Sequence, residues 1–334
     1  MSRRPTARPD GLTGGRTGGR LRRTLLAGLV AAAVVFPVSA AASPNVPAPA
    51  PAVLGEGSAL PDRYAANLAN LHEAARTAEG AGRGGRAARL RAMEAGGDAR
   101  FLVFDGRGKG RAIEVFGDLE TADRVAVLVP GSDTTLDTYQ RFRAGAVSLQ
   151  QRLQAKHSRS AVVAWLGYDT PGTVSPAVLT TGRADDAAAG LGSFLPRLAR
   201  LAAPEAHLSL LCHSYGSVVC ARTESGSEVT DMALFGSPGT GADSAARLPT
   251  RARVWAGRGG ADWISGVPHV RVLGVGFGAD PVDPAFGALP FAAGSGGHSD
   301  YLKPGTASLN SLAGIVLGNS ADSVDSPEVS HARA

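Results

Sequence analysis

Cysteine, aromatic residues and charge are all scarce in this chain of 334 residues. Two cysteines exclude a small fold built on several disulfides, and 5% aromatic residues mean that aliphatic side chains must fill the core. Only 19% of the residues are charged while 44% are hydrophobic, a balance that excludes a disordered protein. The seven histidines are scattered and no pair has the spacing of a metal site such as H-E-x-x-H, so the sequence predicts neither a metal nor a cofactor.

The net charge of +5 comes from the N-terminus. Residues 1–42 hold seven arginines and one acid, Asp10, whereas the rest of the chain carries 27 basic and 28 acidic residues. Beyond residue 42 the charge therefore makes no case for binding nucleic acid or an anionic membrane. We expect neither DNA nor RNA as a partner.

The N-terminal segment has the pattern of a secretory signal peptide over residues 1–42. The pair Arg22-Arg23 precedes the apolar run LLAGLVAAAVVF, and the small residues VSAAAS place cleavage after Ala40 or Ala42. The arginine pair followed by TLL resembles a twin-arginine signal, and the ordinary secretory route stays open. An uncleaved anchor is the alternative, because about 17 apolar residues lie near the lower limit for a membrane span. We expect a secreted or cell-envelope protein that contacts the membrane only through this segment.

The remaining chain divides into four predicted parts. Residues 43–60 form a Pro/Ala-rich linker, 61–97 an N-terminal helical segment, 98–318 one α/β domain and 319–334 a disordered tail. The helical segment reads as two helices, or as one helix and a frayed one, because GAGRGG interrupts its apolar periodicity.

Apolar runs alternate with helical stretches in the α/β domain. FLVFD and AIEVFGD flank the turn sequence GRGKGR and predict a β-hairpin. Further apolar runs occupy residues 125–130, 161–168, 208–212, 231–237 and 253–257, with helix candidates at 139–156, 183–202, 215–224 and 306–317. Nearly continuous apolar strands separated by helices indicate a doubly wound, mostly parallel sheet with helices on both faces.

The segment LSLLCHSYGSVVC carries the clearest chemical signal. An apolar strand runs into His213-Ser214-Tyr215-Gly216 and then into a helix-compatible stretch, the pattern of a tight strand-to-helix turn that exposes a nucleophile. Such a turn needs small residues two positions before and after the nucleophile. Gly216 meets the second requirement, and Cys212 stands at the first, where glycine is usual. Ser214 is therefore the predicted nucleophile, and His213, its chain neighbour, is expected to be structural.

A serine nucleophile needs a base and an acid that orients it. His298 in GSGGHSDYL is the predicted base, and Asp262 in AGRGGADWI is the predicted acid. Both follow strands and are expected at the carboxyl edge of the sheet, beside Ser214. Asp243 is the runner-up as the acid, since it also follows a strand; Asp231 opens its strand at the wrong edge, and Asp300 lies too close in sequence to His298.

Two backbone groups are predicted to stabilise an oxyanion. One is the N–H of Tyr215, directly after the nucleophile, and the other is the N–H of Ser132 in the loop VLVPGSDTT. Tyr168 and Asp169 follow the second parallel strand at the same edge. They are candidates for substrate contact, although a solvated turn explains them equally well.

These motifs together resemble an actinobacterial family of the α/β-hydrolase superfamily, catalogued as a domain of unknown function. The resemblance rests on VAVLVPGSDTTL, AVVAWLGYDTP, LLCHSYGSVV, ALFGSPG, RVWAG…DWI and GGHSDYL, and it covers residues 98–315. It implies the hydrolase fold and a serine-hydrolase triad on Ser214, Asp262 and His298, but no particular substrate. The chain departs from the family at Cys212. Only 16 residues separate the predicted strand at 231–237 from the VWAG of the next strand, which excludes a large cap domain between these two strands.

The sequence therefore predicts a secreted serine hydrolase that cleaves an ester of small-molecule or lipid type. Amide hydrolysis stays open, and the alternative function is that of a non-catalytic binding protein of the cell envelope with the same fold. The chain has an even number of cysteines, Cys212 and Cys220, and in an exported protein this favours a disulfide between them. Because strand and helix are expected to hold their Cα atoms too far apart, two buried free thiols are the favoured prediction.

Overall fold

The computed structural model describes residues 46–55, 57–94 and 97–319. The signal peptide predicted over 1–42 and the predicted tail beyond residue 319 lie outside the described residues. None of the helices in the described ranges is long and apolar enough to cross a bilayer.

Helices and strands alternate along the described chain. The helices are α1 (Leu60–Gly80), α2 (Gly84–Met93), α3 (Tyr139–Gln154), α4 (Gly182–Leu201), α5 (Tyr215–Arg222) and α6 (Ala307–Val316). The strands are β1 (Phe101–Asp105), β2 (Arg111–Phe116), β3 (Arg124–Val129), β4 (Ser160–Leu166), β5 (His207–His213), β6 (Val229–Phe235), β7 (Arg253–Gly257) and β8 (Leu289–Pro290). Short 3-10 helices occupy Pro176–Leu179, Ala245–Arg247, Trp263–Gly266 and Pro284–Phe286.

The strands form one sheet in the order β1-β2-β4-β3-β5-β6-β7-β8. The pairs β1–β2 and β2–β4 are antiparallel, and all other neighbours are parallel. This arrangement confirms the predicted hairpin and the predicted parallel sheet. Sequence reasoning missed β8, because two residues that include a proline leave no apolar run to detect.

Both faces of the sheet are covered by helices. On the central strand β3, Val125, Val127 and Val129 pack into one core with residues of α4 and α5, while Ala126 and Leu128 pack into a second core with residues of α3 and α6. Side chains alternate between the faces of a strand, so a strand buried on both sides must be apolar throughout. The parallel strands all end at one edge, and the chemistry-bearing loops meet there.

The N-terminal helices cover the hairpin. Residues of α1 and α2 form a third core with Phe101 and Phe104, and Gly82, at φ +71°, separates the two helices. Residues 46–55 of the preceding Pro/Ala-rich stretch form no helix or strand. They lie against this layer, since Ala48 packs on the third core and the Asn70 side-chain amide donates to the Ala50 carbonyl at 2.6 Å.

Candidate active site

Ser214 lies on a sharp turn between β5 and α5. Its backbone has φ 53° and ψ −125°, a conformation that non-glycine residues rarely adopt. The Ser214 N–H donates to the Phe235 carbonyl at 3.0 Å, which ties the turn to the neighbouring strand β6. A Cβ at Gly216 would lie 2.5 Å from the Val129 carbonyl oxygen, so only glycine fits there. The turn therefore has the predicted conformation and the predicted need for a small residue after the serine.

A disulfide joins Cys212 to Cys220, so the prediction of free thiols is wrong. Cys212 ends the buried part of β5, Cys220 lies in α5, and their Cα atoms are 6.4 Å apart, inside the range that a disulfide spans. The sharp turn brings the helix back over its own strand, which shortens this distance. The bridge starts at Cys212, two residues before Ser214, and links the two elements on either side of Ser214.

Ser214, His298 and Asp262 form one chain of hydrogen bonds. The Ser214 Oγ lies 2.9 Å from His298 Nε2, and His298 Nδ1 lies 2.8 Å from Asp262 Oδ1. Asp262 follows β7, and His298 lies in the loop before α6. The structure thus brings together the three residues that the sequence singled out, in the arrangement by which a base takes a proton from a serine while an acid orients the base.

Two further groups hold the buried carboxylate of Asp262. The Ile264 N–H donates to Oδ1 at 2.9 Å, and the Tyr301 hydroxyl donates to Oδ2 at 2.5 Å. The Tyr301 oxygen also accepts the Gly259 N–H at 3.0 Å, which directs its own proton towards Asp262. Burial and the neighbouring carboxylate raise the pKa of Tyr301 well above its usual value, so its hydroxyl stays a donor. This role of Tyr301 was not predicted from the sequence. Its position three residues after His298 was the only sequence signal for it.

The competing acids lie elsewhere. Asp300 accepts the Gly297 N–H at 2.9 Å and pairs with Lys303. Asp231 is buried on β6, where it accepts the indole N–H of Trp255 at 2.7 Å. Asp262 thus holds the position beside the His298 ring.

His213 supports the backbone of His298. Its Nε2 lies 2.8 Å from the His298 carbonyl oxygen, and the two imidazole rings are 4.7 Å apart. Burial, followed by the proximity of the second histidine, lowers the pKa of His213 to about 3, so it is neutral and its Nε2–H is the donor in this bond. The expectation of a structural role for His213 agrees with this contact.

The loop after β3 brings backbone donors to the nucleophile. A Cβ on Gly131 would lie 2.6 Å from the Ser214 Cβ and 3.1 Å from its Oγ, so this backbone approaches the serine closely. Within the described ranges, no protein acceptor faces the N–H of Ser132 or of Tyr215. Two unpaired N–H groups beside a nucleophile are what an oxyanion requires.

Tyr168 and Asp169, the candidates for substrate contact, have other partners in the structure. Tyr168 is buried, and its hydroxyl donates to the Pro130 carbonyl at 2.7 Å. Asp169 points to Arg183, with an N–O distance of 3.8 Å. The turn after β4 directs Tyr168 beneath the loop that carries Ser132, so Tyr168 supports that loop.

A cavity of about 1100 Å³ opens at Ser214 and His298. Its lining is mostly apolar and comes from α3, the Pro176–Leu179 turn, the loop 263–277 and residues 302–304. Trp263 borders the cavity with its ring 4.7 Å from that of His298. The main apolar side chains are those of Phe142, Val178, Leu179, Val267, Phe277 and Leu302. A second cavity of about 760 Å³ lies between α4 and residues 240–249, away from these residues.

In the described part of the chain, no group of three or more His, Cys, Asp or Glu side chains is arranged to hold an ion.

One family model and several curated relatives match this chain. Residues 105–272 match the model of an alpha/beta hydrolase family. A Mycobacterium tuberculosis protein of uncharacterised function is 31% identical over 247 residues, covering 64% of this chain and 38% of the relative. One from Mycobacterium bovis is 34% identical over 143 residues, covering 40% of this chain and 53% of that protein. This chain therefore spans about two fifths to one half of the length of these curated relatives.

Among solved structures, an α/β serine hydrolase without a lid from Xanthomonas campestris is similar at 15% identity. The alignment has a TM-score of 0.41 and covers 69% of this chain and 97% of that one. An esterase from Mycobacterium marinum aligns at 17% identity with a TM-score of 0.37, covering 76% of this chain and 90% of that one.

Proposed function

The chain belongs to the alpha/beta hydrolase family, and on that basis we propose that it cleaves carboxylic esters through an acyl-enzyme formed on Ser214. One observation carries the proposal: the hydrogen-bond chain from Ser214 through His298 to Asp262 opens onto a mostly apolar cavity. Unreactive serines have no need of a base that is itself held by a buried acid. The apolar lining favours the acyl part of an ester over a charged substrate.

The first half-reaction acylates the serine. His298 Nε2 takes the proton of Ser214 as Oγ attacks the ester carbonyl carbon, and the carbonyl oxygen becomes an oxyanion. The N–H groups of Ser132 and Tyr215 face this oxygen, and removing one such donor in other hydrolases costs about 10²–10³ in kcat. His298 then passes its proton to the departing alkoxide, which leaves as the alcohol while the acyl group stays on Oγ.

The second half-reaction releases the acid. A water molecule gives its proton to His298 Nε2 and attacks the acyl carbon, and a second oxyanion forms at the same N–H groups. When it collapses, the proton returns to Ser214 Oγ and the carboxylic acid leaves. Asp262 fixes the ring orientation of His298 and stabilises the imidazolium.

We also propose that the protein acts outside the cytoplasm. The predicted signal peptide is one support, and the Cys212–Cys220 disulfide is an independent one, because disulfides persist in oxidising compartments. The substrate would then be an ester present outside the cell or in the envelope.

A fluorophosphonate probe tests the nucleophile directly, since it reacts only with activated serines. We expect labelling of the Ser214 peptide in mass spectrometry, and its loss in Ser214→Ala. Ser132→Ala is the matched control, because it removes a hydroxyl at the same cavity but keeps the backbone N–H, so labelling should persist. A folded protein whose Ser214 remains unlabelled would contradict the proposal, and binding of a fatty ester without turnover would then favour the non-catalytic function. Paired ester and amide substrates of equal chain length test the preference for esters.

A further inference from the structure

Exposed hydrophobic side chains concentrate around the mouth of the cavity. Ten large hydrophobic side chains are exposed in the described ranges; five of them line the cavity, and a sixth, Leu273, directly follows one of these five in the chain. We call these six the rim: Leu179, Trp263, Val270, Val272, Leu273 and Val275. Scattered exposed hydrophobics are ordinary on a soluble protein, but a contiguous set beside a site marks an interaction surface.

Four rim residues, Val270, Val272, Leu273 and Val275, belong to a short hairpin that is closed by pairing of Val272 with Val275. The Val272 N–H donates to the Val275 carbonyl, and the Val275 N–H donates to the Val272 carbonyl, both at 2.9 Å. At its base the Gly276 N–H donates to the Leu179 carbonyl at 2.9 Å. Pairing of these N–H and C=O groups lowers the cost of moving the hairpin out of water, because they are not left without partners.

Leu273 at the tip has no intramolecular reason to be leucine. Its side chain is 100% exposed, so it buries nothing against the protein. Its backbone has φ +49°, a conformation that asparagine or glycine adopts more readily than leucine. The position thus carries both a conformational cost and the cost of an apolar side chain in water, and only burial against something outside the chain offsets them.

The charges beside the rim are mainly positive. Arg271 lies within the hairpin and Arg141 on the opposite border of the cavity, and both are exposed. Neither has an ion-pair partner among the described residues, whereas the nearby Lys303 is paired with Asp300. Asp133 is the acid at the border, where its carboxylate accepts the Thr173 N–H.

We infer that the rim docks on a phospholipid surface with anionic headgroups. Leu273 and the hairpin valines enter the boundary between headgroups and acyl chains, Arg271 and Arg141 meet the phosphates, and the cavity opens towards the lipid. A surface with anionic headgroups fits this part of the molecule because the exposed apolar side chains lie at the mouth of the cavity beside Arg271 and Arg141, which have no ion-pair partner among the described residues. Docking adds a membrane contact to that of the N-terminal segment and goes beyond the proposed ester hydrolysis.

Vesicle flotation tests the docking without depending on catalysis. The chain from Ser43 onward is one compact unit and lacks the apolar N-terminal run, and the Ser214→Ala substitution in every sample keeps the vesicles intact. The probes are vesicles of phosphatidylcholine alone and of phosphatidylcholine mixed with phosphatidylglycerol. We expect binding to the mixed vesicles that weakens with added salt.

The decisive variant is Leu273→Asn. Asparagine tolerates the positive φ, so the variant should keep the thermal midpoint of the parent, while its vesicle affinity falls about tenfold to a hundredfold because a leucine side chain is no longer buried in lipid. Val53→Asn is the matched control, since Val53 is equally exposed but does not line the cavity, and its affinity should not change.

Three results would overturn the inference: no flotation of the parent with either vesicle, equal flotation of Leu273→Asn and the parent, or an equal loss in Val53→Asn. A lipid-free dimer that dissociates in Leu273→Asn would assign the rim to a second copy instead. Each of these results leaves the fluorophosphonate test of Ser214 unaffected, so failure of the docking and failure of the proposed function are distinguishable.

Discussion

Replacing Tyr301 by phenylalanine removes one hydroxyl from the support of Asp262. That hydroxyl donates to Oδ2 at 2.5 Å and accepts the Gly259 N–H at 3.0 Å, and the residue is 3% exposed. A hydrogen bond to a charged group contributes about 1.5–3 kcal/mol, and the stranded Gly259 N–H adds to the loss. We expect the free energy of unfolding to fall by about 2–3 kcal/mol.

The same change should lower kcat. Asp262 then has only the Ile264 N–H and the His298 ring to fix its orientation, so the imidazole is held less firmly when it must carry charge. If the whole of this loss of about 2–3 kcal/mol falls on the stabilisation of the transition state, the activation barrier rises by the same amount. Since each 1.4 kcal/mol is a factor of about ten in rate, kcat falls by at most about a hundredfold. KM for a short, water-soluble ester should change little, because the hydroxyl that is removed contacts Asp262 and the ring that lines the cavity is kept.

Tyr139→Phe is the matched control. The Tyr139 hydroxyl also donates to a buried carboxylate, Glu114 Oε2 at 3.0 Å, but it lies away from Ser214. Urea unfolding should show a similar loss of stability in both variants, while steady-state kinetics should show a lower kcat only in Tyr301→Phe. An unchanged kcat in Tyr301→Phe, or an equal fall in Tyr139→Phe, would refute the reasoning that Tyr301 acts through Asp262.

Three further predictions follow from other contacts. Asp262→Asn should keep the fold by circular dichroism but lower kcat by about 10⁴, as in other triads, and a fall below tenfold would contradict its role. Burial raises the pKa of Glu114 from 4.5 to about 7, so the folded state holds more protons than the unfolded state between those values and stability falls as pH rises through that window. Between pH 5 and pH 8 the free energy of unfolding should therefore fall by on the order of 2–3 kcal/mol in the parent, and Glu114→Gln should remove this fall in urea titrations. An equal fall in both proteins would argue against the prediction. Replacing Cys212 and Cys220 together by alanine should cost about 2–3 kcal/mol of stability, the value expected for a loop of this length, and an unchanged unfolding midpoint would show that the bridge contributes nothing.

The strands and helices that position the site were predictable because each has a local signal. The apolar runs of β3 to β7 stand between helical stretches of suitable length, and a parallel sheet places every strand end at one edge. That rule predicts Ser214 and Asp262 at the same edge, and the structure places His298, 84 residues after Ser214, beside them. Strand β8 escaped because its two residues have no periodicity.

The disulfide was predicted wrongly for a geometric reason. Separation along a strand and a following helix suggested Cα atoms beyond reach, but the strained turn at Ser214 folds α5 back over β5. The conformation of one residue thus decided the distance between two others. The placement of Tyr168 beneath the Pro130 carbonyl likewise depended on a loop path that no local pattern describes.

The sequence by itself determined the order of the elements, the sharp turn at the nucleophile and the three residues of the hydrogen-bond chain, since periodicity and chain order govern all of these. Only the tertiary structure decided that Tyr301 holds Asp262, that His213 holds the His298 backbone and that the hairpin around Leu273 stands at the cavity mouth. These contacts join residues that are 39 and 85 positions apart, or depend on the backbone pairing of an irregular loop. The physical reason is that local propensity acts over a few residues, whereas distances between loops follow from strand order and from how each loop packs.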